Sequence, residues 1–319
     1  MSATIYALHE NPEWFPPFAA AFAAEGVRVE EWLLADGVLD LDSTPPEGVF
    51  WSRISASAHT RGHHLSKDYS RAVLAWLESH GRRTVNGRRV LELEMSKVEQ
   101  LTRLRAAGIV TPRTGAGIGR EHVVAAAASI PAPFVTKHNQ GGKGLGVRRF
   151  DDHAELADHV HSEEFEEPQD GITLVQEYVV AAEPRITRVE IVGGEFVYAI
   201  DADTARGGFQ LCPADACAID PETGRPVMPP GATMAPEPGQ ELFSLREGFE
   251  HPIVDRYLAF ARDNGIEVCG IEFIESVDGR LLTYDVNTNT NYNAAVEAAA
   301  PRSAARALVR YLASVAEGL

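Results

Sequence analysis

Residues 268–293 read VCGIEFIESVDGRLLTYDVNTNTNYN, with two apolar, β-branched runs on either side of Asp278-Gly279. Asp-Gly is the dipeptide that most favours a two-residue hairpin loop, so this stretch predicts a β-hairpin. If the dipeptide is the loop, pairing outward from it places Glu272 directly opposite Asp285. Directly opposed residues share a face of a sheet, and Asn287, two residues beyond, lies on the same face. The predicted hairpin therefore gathers two carboxylates and an amide oxygen on one patch.

Like charges that oppose each other across a hairpin destabilise it, and a hard cation would relieve the repulsion. Mg²⁺ takes oxygen ligands and usually keeps waters and phosphate oxygens as well. The alternative is a polar face that is simply solvated. The segment after the hairpin favours a site, because its asparagines supply both donors and acceptors. We therefore predict Glu272, Asp285 and Asn287 as metal ligands.

The composition is that of an ordinary globular enzyme. The chain has 319 residues, enough for two or three structural units, and is 45% hydrophobic and 24% charged. No apolar run approaches membrane length, and the N-terminus lacks a basic-then-apolar signal pattern. Three cysteines (Cys212, Cys217 and Cys269) are too few and too irregularly spaced for a disulfide framework or a zinc site. We therefore expect a cytoplasmic protein with no membrane partner.

The charge balance bears on binding partners. A net charge of −17 argues against a nucleic-acid partner. Any phosphate site must then be locally positive, built from particular lysines, arginines and backbone N–H groups. Alanine-rich helices and apolar faces also permit a homodimer.

Residues 1–92 read as a small α/β unit, with a polar loop at 52–64 after its third predicted strand. The sheets of α/β proteins bind ligands at the carboxyl ends of their strands, which is where this loop lies. Its arginines, Arg53 and Arg61, suit a carboxylate-bearing substrate. Its histidines, His59 among them, suit a metal site or acid–base chemistry, and a mobile surface loop is the structural alternative. We take Arg53, His59 and Arg61 as candidate substrate residues.

A second informative stretch, 134–147, reads FVTKHNQGGKGLGV. A strand delivers Lys137, and a glycine-rich loop then turns back into another strand. Glycines let backbone N–H groups approach a polyphosphate closely, and lysines add charge. The spacing matches neither a P-loop nor a dinucleotide-binding fingerprint, and a flexible hairpin without a ligand is the alternative. The candidate phosphate-binding residues are Lys137, Gly141, Gly142, Lys143 and Gly144.

A third stretch, Gln176-Glu177-Tyr178-Val179, ends an apolar strand and runs into a linker. Such a linker offers backbone groups that can pair with the edge of a purine. Val175 and Val179 are placed to sandwich the ring. Taken alone, the same pattern is typical of any strand end.

These motifs occur in order with two others, a lysine before a helix and a hairpin that carries an arginine. Along the chain they read MSKVEQLTRLRAAGIVTPRT (95–114), VTKHNQGGKGLGV (135–147), QEYV (176–179), ITRVEIVGGEFVYAI (186–200) and DVN (285–287). The series resembles the ATP-grasp superfamily, and most closely its RimK-type glutamate ligases. The resemblance implies an α/β (α+β) ATP-grasp fold with a pre-ATP-grasp α/β domain at 1–92. The N-terminal grasp subdomain with its flap would cover 93–180, and the C-terminal subdomain with the metal site 181–319.

The resemblance also implies roles for single residues. Lys97 and Lys137 would contact the nucleotide phosphates under the glycine flap, and Glu183 would contact the ribose. The nucleotide set is Lys97, Lys137, Gly141, Gly142, Lys143, Gly144, Gln176, Glu177, Tyr178, Val179 and Glu183. The metal ligands would be Glu272, Asp285 and Asn287, with Arg188 and Arg206 as catalytic cations.

The chain departs from the family pattern in four places. It has Glu272 where the family usually has Asp, and Asp285 where the family favours Glu, so each carboxylate is kept with one methylene exchanged. The basic strand expected after the central hairpin reads ADTARGGFQLCPADAC, in which Arg206 is the one cation. TNTNYN replaces the family's usual ending, which implies a changed substrate pocket with Asn289 and Asn291 in its floor.

The family chemistry is the joining of a carboxylate to an amine through an acyl phosphate, at the expense of ATP and with Mg²⁺; Mn²⁺ is an alternative ion. The resemblance therefore implies a ligase for amino-acid-like small molecules or peptides. Its alternatives are a small-molecule kinase on the same scaffold and a non-catalytic ATP-binding regulatory module. His59, His63 and Asp203 are open alternatives for the group that deprotonates the amine.

Overall fold

The computed structural model describes residues 3–142, 144, 146–207 and 242–319. The strands are β1 (Ile5–His9), β2 (Val29–Leu33), β3 (Val49–Ser52), β4 (Arg83–Val85), β5 (Thr114–Ile118), β6 (Phe134–His138), β7 (Arg148–Phe150), β8 (Ile172–Glu177), β9 (Arg185–Val192), β10 (Glu195–Asp203), β11 (Phe243–Leu245), β12 (Val268–Glu275) and β13 (Leu281–Asn287). The helices are α1 (Pro16–Glu25), α2 (Ser66–Ser79), α3 (Arg88–Glu94), α4 (Lys97–Ala106), α5 (Arg120–Ala127), α6 (His153–His161), α7 (Thr204–Gly207), α8 (Ile253–Asn264), α9 (Ala294–Ala299) and α10 (Ala304–Glu317). The proline-rich segment 211–238, predicted as a loop insertion, lies outside the described residues.

The first sheet is parallel, with strand order β2-β1-β3-β4. Helices cover both of its faces. Phe18 and Phe22 of α1 pack with α10 against one face, and Val73 and Leu77 of α2 pack against the other. This arrangement is that of an α/β unit, and the 52–64 loop follows the carboxyl end of β3.

The second sheet is antiparallel, with order β5-β8-β6-β7. Helices α5 and α6 cover one face, where Val123 and Leu156 pack against Phe134 and Phe150. The strand β6 carries Lys137, and the glycine-rich loop joins β6 to β7. The predicted strand-loop-strand order of this stretch is therefore confirmed.

The third sheet, β11-β10-β9-β12-β13, is also antiparallel and lies at the centre of two cores. One face packs against α3, α4 and α8, through residues such as Leu104 and Tyr257. The other face shares a core with α10 and the first sheet, through Ile200 and Leu308. The helix that carries Lys97 is thus held directly on the sheet that carries Glu272 and Asp285.

The β12–β13 hairpin reaches the predicted register by an unexpected route. Its loop has three residues, since Ser276 N–H donates to Arg280 O at 2.9 Å and Gly279 N–H donates to Ser276 O at 2.9 Å. Gly279 has a φ of 79°, as a three-residue hairpin loop requires. A bulge at Tyr284 then offsets the longer loop, because Phe273 pairs with Thr283 but Glu272 pairs with Asp285. The two irregularities cancel, and the predicted acidic pair forms.

Asn86 ties the end of the first sheet to the third. Its Oδ1 accepts from the backbone N–H groups of Glu267 (3.0 Å) and Val268 (3.2 Å), and its Nδ2 donates to the carbonyls of Val268 (2.8 Å) and Thr288 (3.2 Å). The residue is buried and has a φ of 52°, a conformation that asparagine tolerates better than most side chains.

We expect Asn86→Ala to lower the free energy of unfolding by about 2–3 kcal/mol, because four buried backbone groups lose their partner. Urea unfolding followed by circular dichroism measures the change. Arg262→Ala, at an exposed position, is the control and should stay within about 0.5 kcal/mol of wild type. An Asn86→Ala variant as stable as that control would contradict the assignment.

Candidate active site

A cavity of about 500 Å³ lies where the three sheets meet. It is lined by side chains from the second and third sheets, from the first turn of α4 and from the loop after β3. The predicted site residues that line it are Lys97, Lys137, Gly141, Gly142, Gly144, Gln176, Glu177, Tyr178, Val179, Arg188, Glu272, Asp285, Asn287, Asn289 and Asn291. The structure thus brings together segments that lie up to about two hundred residues apart in the chain.

Other predicted residues lie elsewhere. Arg61 donates to the Glu10 carboxylate at 2.6 Å, and Glu183 is an exposed partner of Arg185 at 3.2 Å, so neither lines the cavity. His59 is half-buried behind the loop, with a pKa lowered chiefly by burial. Arg53 lies behind Asn291. Lys143 is outside the described residues, and Arg206 is placed only by the backbone of α7.

The pKa values of the two hairpin carboxylates are shifted in opposite directions. Burial, followed by the charge of Asp285, raises the pKa of Glu272. Its carboxylate accepts from Tyr284 Oη at 2.8 Å and from Asn287 Nδ2 at 3.1 Å. Burial opposes the ionisation of Asp285 too, but the ammonium groups of Lys97 and Lys137 outweigh it and lower the pKa of Asp285. Asp285 is therefore the stronger acid of the pair.

Lys97 is positioned by a capped helix start. Ser96 Oγ accepts from Glu99 N–H at 3.2 Å, and Asn139 Oδ1 accepts from Val98 N–H at 2.8 Å. Asn139 belongs to the glycine-rich loop, so the loop and the helix are joined at this point. Lys97 Nζ forms an ion pair with Asp285. The pair raises the pKa of Lys97 although burial acts in the opposite direction.

Lys137 is a buried cation without a carboxylate partner. Within the described ranges no carboxylate lies within 4.0 Å of its Nζ, whose hydrogen bond runs to the carbonyl of Tyr284 at 3.5 Å. Burial, and next the neighbouring Lys97, lower the pKa of Lys137 to about 7. A buried cation of this kind is stabilised when an anion enters the cavity. The position fits a phosphate group.

The Arg188 side chain lies over Gly270 on one face of the third sheet. Its Nε donates to Glu190 at 2.6 Å, it also bonds to Thr290, and its Nη1 lies 3.5 Å from Glu272. A Cβ on Gly270 would lie 2.2 Å from Arg188 Nε. No other residue type leaves room for the guanidinium there, so Gly270 is a positioning residue for Arg188.

The segment after β13 alternates between anchors and cavity residues. Glu94 accepts from the backbone N–H of Thr288 at 2.7 Å and from its hydroxyl at 2.9 Å, while Thr290 donates to Glu190 at 3.0 Å. The intervening Asn289 and Asn291 line the cavity. Asn293 caps α9, and its Oδ1 accepts from the N–H groups of Ala295 and Val296.

The residues present fit a magnesium ion held together with phosphate. The described part of the chain has no group of three or more His, Cys, Asp or Glu side chains arranged around one point. Mg²⁺ does not require one, since it binds through one or two carboxylates plus phosphate oxygens. Asn287 donates its Nδ2 to Glu272, which leaves its Oδ1 free to serve as a ligand.

The 176–179 linker, which was predicted to bind a purine, is held by its backbone. Glu177 N–H donates to Arg113 O at 2.8 Å, and Tyr178 N–H donates to Pro133 O at 3.1 Å. Gln176 Nε2 donates to Thr114 at 2.8 Å. These bonds fix the position of Val179, the residue that follows them along the cavity wall.

Structural comparison decides the fold. D-cycloserine synthetase DcsG superposes with a TM-score of 0.65 at 17% identity, over 98% of this chain and 99% of the other. The RimK domain protein ATP-grasp from Sphaerobacter thermophilus DSM 20745 superposes with a TM-score of 0.61 at 18% identity, over 97% and 99%.

The chain has the ATP-grasp fold. The ATP-grasp ligase PsnB, solved with a minimal precursor, Mg and ADP, superposes with a TM-score of 0.62 at 14% identity, over 98% and 97% of the two chains. The family resemblance seen in the sequence is thus confirmed for the fold.

Sequence comparison gives a match over part of the chain. No family model matches the chain. Beta-citrylglutamate synthase B from Danio rerio is 25% identical over 231 residues, which are 72% of this chain and 50% of that protein. The chain therefore spans half the length of the curated relative. None of the helices in the described ranges is long and apolar enough to cross a membrane.

Three residues that shape this site were not predicted from the sequence. Strand alternation places Tyr284 on the face opposite Asp285, and the bulge that turns it toward Glu272 has no local sequence signal. Glu190 and Gly270 look like ordinary strand positions. An arginine two residues before a glutamate on β9 was the available sign of a charged pair on one face of the sheet.

We expect Gly270→Ala to destabilise the protein by about 3 kcal/mol or more, because displacing Arg188 leaves Glu190 as a buried carboxylate without its cation. Chemical denaturation at neutral pH measures the loss. Adding Glu190→Gln to Gly270→Ala should recover part of it, since a neutral amide does not need the guanidinium. A double variant no more stable than the single variant would contradict this role of Gly270.

Proposed function

We propose that the protein is an ATP- and Mg²⁺-dependent ligase that joins a carboxylate to an amine through an acyl phosphate. The observation that carries the proposal is Lys137, a buried cation without a carboxylate partner in the described chain, beside the Lys97–Asp285 ion pair and Glu272. Adjacent cations and carboxylates in one cavity suit a nucleotide polyphosphate with its metal ion.

Each side chain has a part in binding or positioning. Lys137 and Lys97 neutralise phosphate oxygens, and the loop with Gly141, Gly142 and Gly144 covers them. Glu272, Asp285 and Asn287 would hold Mg²⁺, which when bound polarises the phosphoryl group. Gln176, Glu177 and Val179 hold the adenine. With these groups set around the phosphates, the site would act by positioning and charge stabilisation, without a covalent bond to a protein side chain.

The chemistry then needs two transfers. An oxygen of the substrate carboxylate attacks the γ-phosphorus of ATP, the bond to ADP breaks, and an acyl phosphate forms. The amine attacks the acyl carbon, loses a proton, and phosphate leaves with the electrons of the broken C–O bond. Arg188 faces the cavity with its charge shared between Glu190 and Glu272, so it stabilises negative charge that develops on the acyl oxygen.

The names of similar proteins support the substrate class. They include a citrylglutamate synthase, a D-cycloserine synthetase and a ligase solved with a precursor peptide. Each name implies an amino-acid-like molecule or a peptide, and we propose the same class for this chain.

We expect ADP release when the protein is given ATP, Mg²⁺ and candidate amino acids, and hydroxamate formation when hydroxylamine replaces the amine. Hydroxylamine traps an acyl phosphate, so the coloured iron–hydroxamate complex measures that intermediate. ADP release without hydroxamate would indicate a kinase. The absence of ADP release with all substrates would favour an ATP-binding regulatory module.

We expect Asp285→Asn and Glu272→Gln to lower turnover by about 100-fold or more, because each removes a charge that holds the metal and phosphates. Circular dichroism should show an unchanged fold. Glu275→Gln is the matched control: it lies on the same strand, outside the cavity lining, and pairs with Arg246. Turnover of Asp285→Asn equal to that of Glu275→Gln would remove the proposed metal site.

A further inference from the structure

Arg53 lies directly behind the floor of the cavity, in a setting that is unusual for an arginine. The side chain is 3% exposed, and its Cζ lies 4.3 Å from the ring centre of Phe18 and 5.3 Å from that of Trp51. Its Nη2 donates to Asn291 Oδ1 at 2.8 Å. Its Nε is buried and has no hydrogen-bond partner among the described residues.

Arg53 has no carboxylate in direct contact among the described residues, although Glu10 and Glu31 lie near enough to act on its charge. Among the residues that the structure describes, none places a carboxylate oxygen within 4.0 Å of it, whereas Arg61 in the same loop binds Glu10 with two nitrogens. Burial lowers the pKa of Arg53 to about 10, so the guanidinium still carries its charge at neutral pH. A buried, unpaired positive charge next to a cavity favours an anionic ligand.

Arg53 also fixes which end of the Asn291 amide faces the cavity. A guanidinium can only donate, so the oxygen of Asn291 must face Arg53. The amide nitrogen, with its two N–H donors, then points away from Arg53, and Asn291 lines the cavity. Asn287, four residues earlier, is held in the opposite sense, because its nitrogen donates to Glu272. One end of this segment therefore presents an acceptor for a cation, and the other presents donors for an anion.

We propose that Asn291, backed by Arg53, forms a subsite for a carboxylate of the organic substrate. A carboxylate accepts hydrogen bonds from the two N–H groups of Asn291, and the positive charge of Arg53 balances the negative charge of the carboxylate. A carboxylate stabilised in this way is a weaker nucleophile, so the subsite holds a recognised carboxylate and not the reacting one. The ligand is therefore a dicarboxylate with one reacting and one recognised carboxylate, or an amino acid whose amine reacts while its carboxylate is recognised. This assignment rests on the proposed function for its use in catalysis.

The alternative is that the Arg53–Asn291 hydrogen bond has only a structural role and links the loop after β3 to the segment after β13. A structural link requires the bond but gives no preference for charged ligands. The two interpretations differ in a variant that keeps the bond and removes the donors. Asn291→Asp is that variant, because an aspartate is isosteric, pairs with Arg53 and has no N–H group.

The experiment measures thermal stabilisation of the full chain, in the presence of ADP and Mg²⁺, by L-glutamate, L-aspartate, L-alanine and succinate, each compared with its methyl ester. We expect at least one acid to raise the Tm where its ester does not. Asn291→Asp should weaken the binding of that acid by about tenfold or more. Asn293→Asp is the control: it adds the same charge two residues along, and aspartate caps a helix as well as asparagine does.

Arg53→Met is a second variant, since a methionine can pack against the two aromatic rings and removes the charge while Asn291 stays. It should also lose the preference for the acid over the ester. The proposal is overturned if no acid differs from its ester in the wild type, or if Asn291→Asp binds the acid as well as Asn293→Asp does.

Turnover separates this proposal from the proposed function. If hydroxamate forms and Asn291→Asp leaves the KM of the carboxylate substrate unchanged, the subsite is wrong and the ligase assignment stands. If the acid preference depends on Asn291 but no hydroxamate forms with any substrate, the subsite stands and the ligase assignment is wrong. If Asn291→Asp raises the KM of the carboxylate substrate and leaves the KM of ATP unchanged, the result supports both the subsite and the ligase assignment.

Discussion

The arrangement of the site depends on one row of charges across the third sheet, in which Arg188, Glu272 and Asp285 are lateral neighbours on adjacent strands. Two adjacent carboxylates in a buried sheet repel each other, and each needs its own cation or donor. Lys97 neutralises Asp285, while Arg188, Tyr284 and Asn287 satisfy Glu272. The next row, Glu190, Gly270 and Asn287, has a glycine at its centre, and the guanidinium of Arg188 occupies that space. The acidic pair therefore dictates the start of α4, the glycine in β12 and the bulge in β13.

The same electrostatic requirement separates structural charges from ligand-binding ones. Buried ions are tolerated when they are paired or hydrogen-bonded. The described core follows this rule, since Glu10 and Glu190 pair with arginines and Glu94 accepts two hydrogen bonds from Thr288. Lys137 and Arg53 depart from it, since each is a buried cation with no carboxylate within 4.0 Å in the described ranges. Lys137 lines the cavity, and Arg53 lies behind Asn291, which also lines it. In the proposed function, a phosphate at Lys137 and a substrate carboxylate at Asn291 would complete the pairing that the described chain leaves open.

How much of this could be predicted from the sequence follows from the range of the interactions. The hairpin face, the lysine of β6 and the glycine-rich loop are encoded within short segments, and they were predicted. The Tyr284 bulge was not, because a three-residue loop and a bulge together give the same register as the simpler two-residue loop. The difference between Arg53 and Arg61 was not predicted either. Both are arginines of one loop, and only the fold brings Glu10 to one and Asn291 to the other.

The two ends of the 287–291 segment show how an ATP-grasp scaffold can keep its phosphate chemistry while its substrate changes. Asn287 and Asn291 are the same residue type, yet a neighbouring carboxylate orients one amide and a neighbouring guanidinium orients the other. Thr288 and Thr290 lie between them and are held by Glu94 and Glu190, so the two ends are fixed independently. A change at residue 53 would alter what residue 291 presents to the substrate without moving residue 287. Because Arg53 comes from the first sheet and Glu272 from the third, the charges that orient the two amides can change separately.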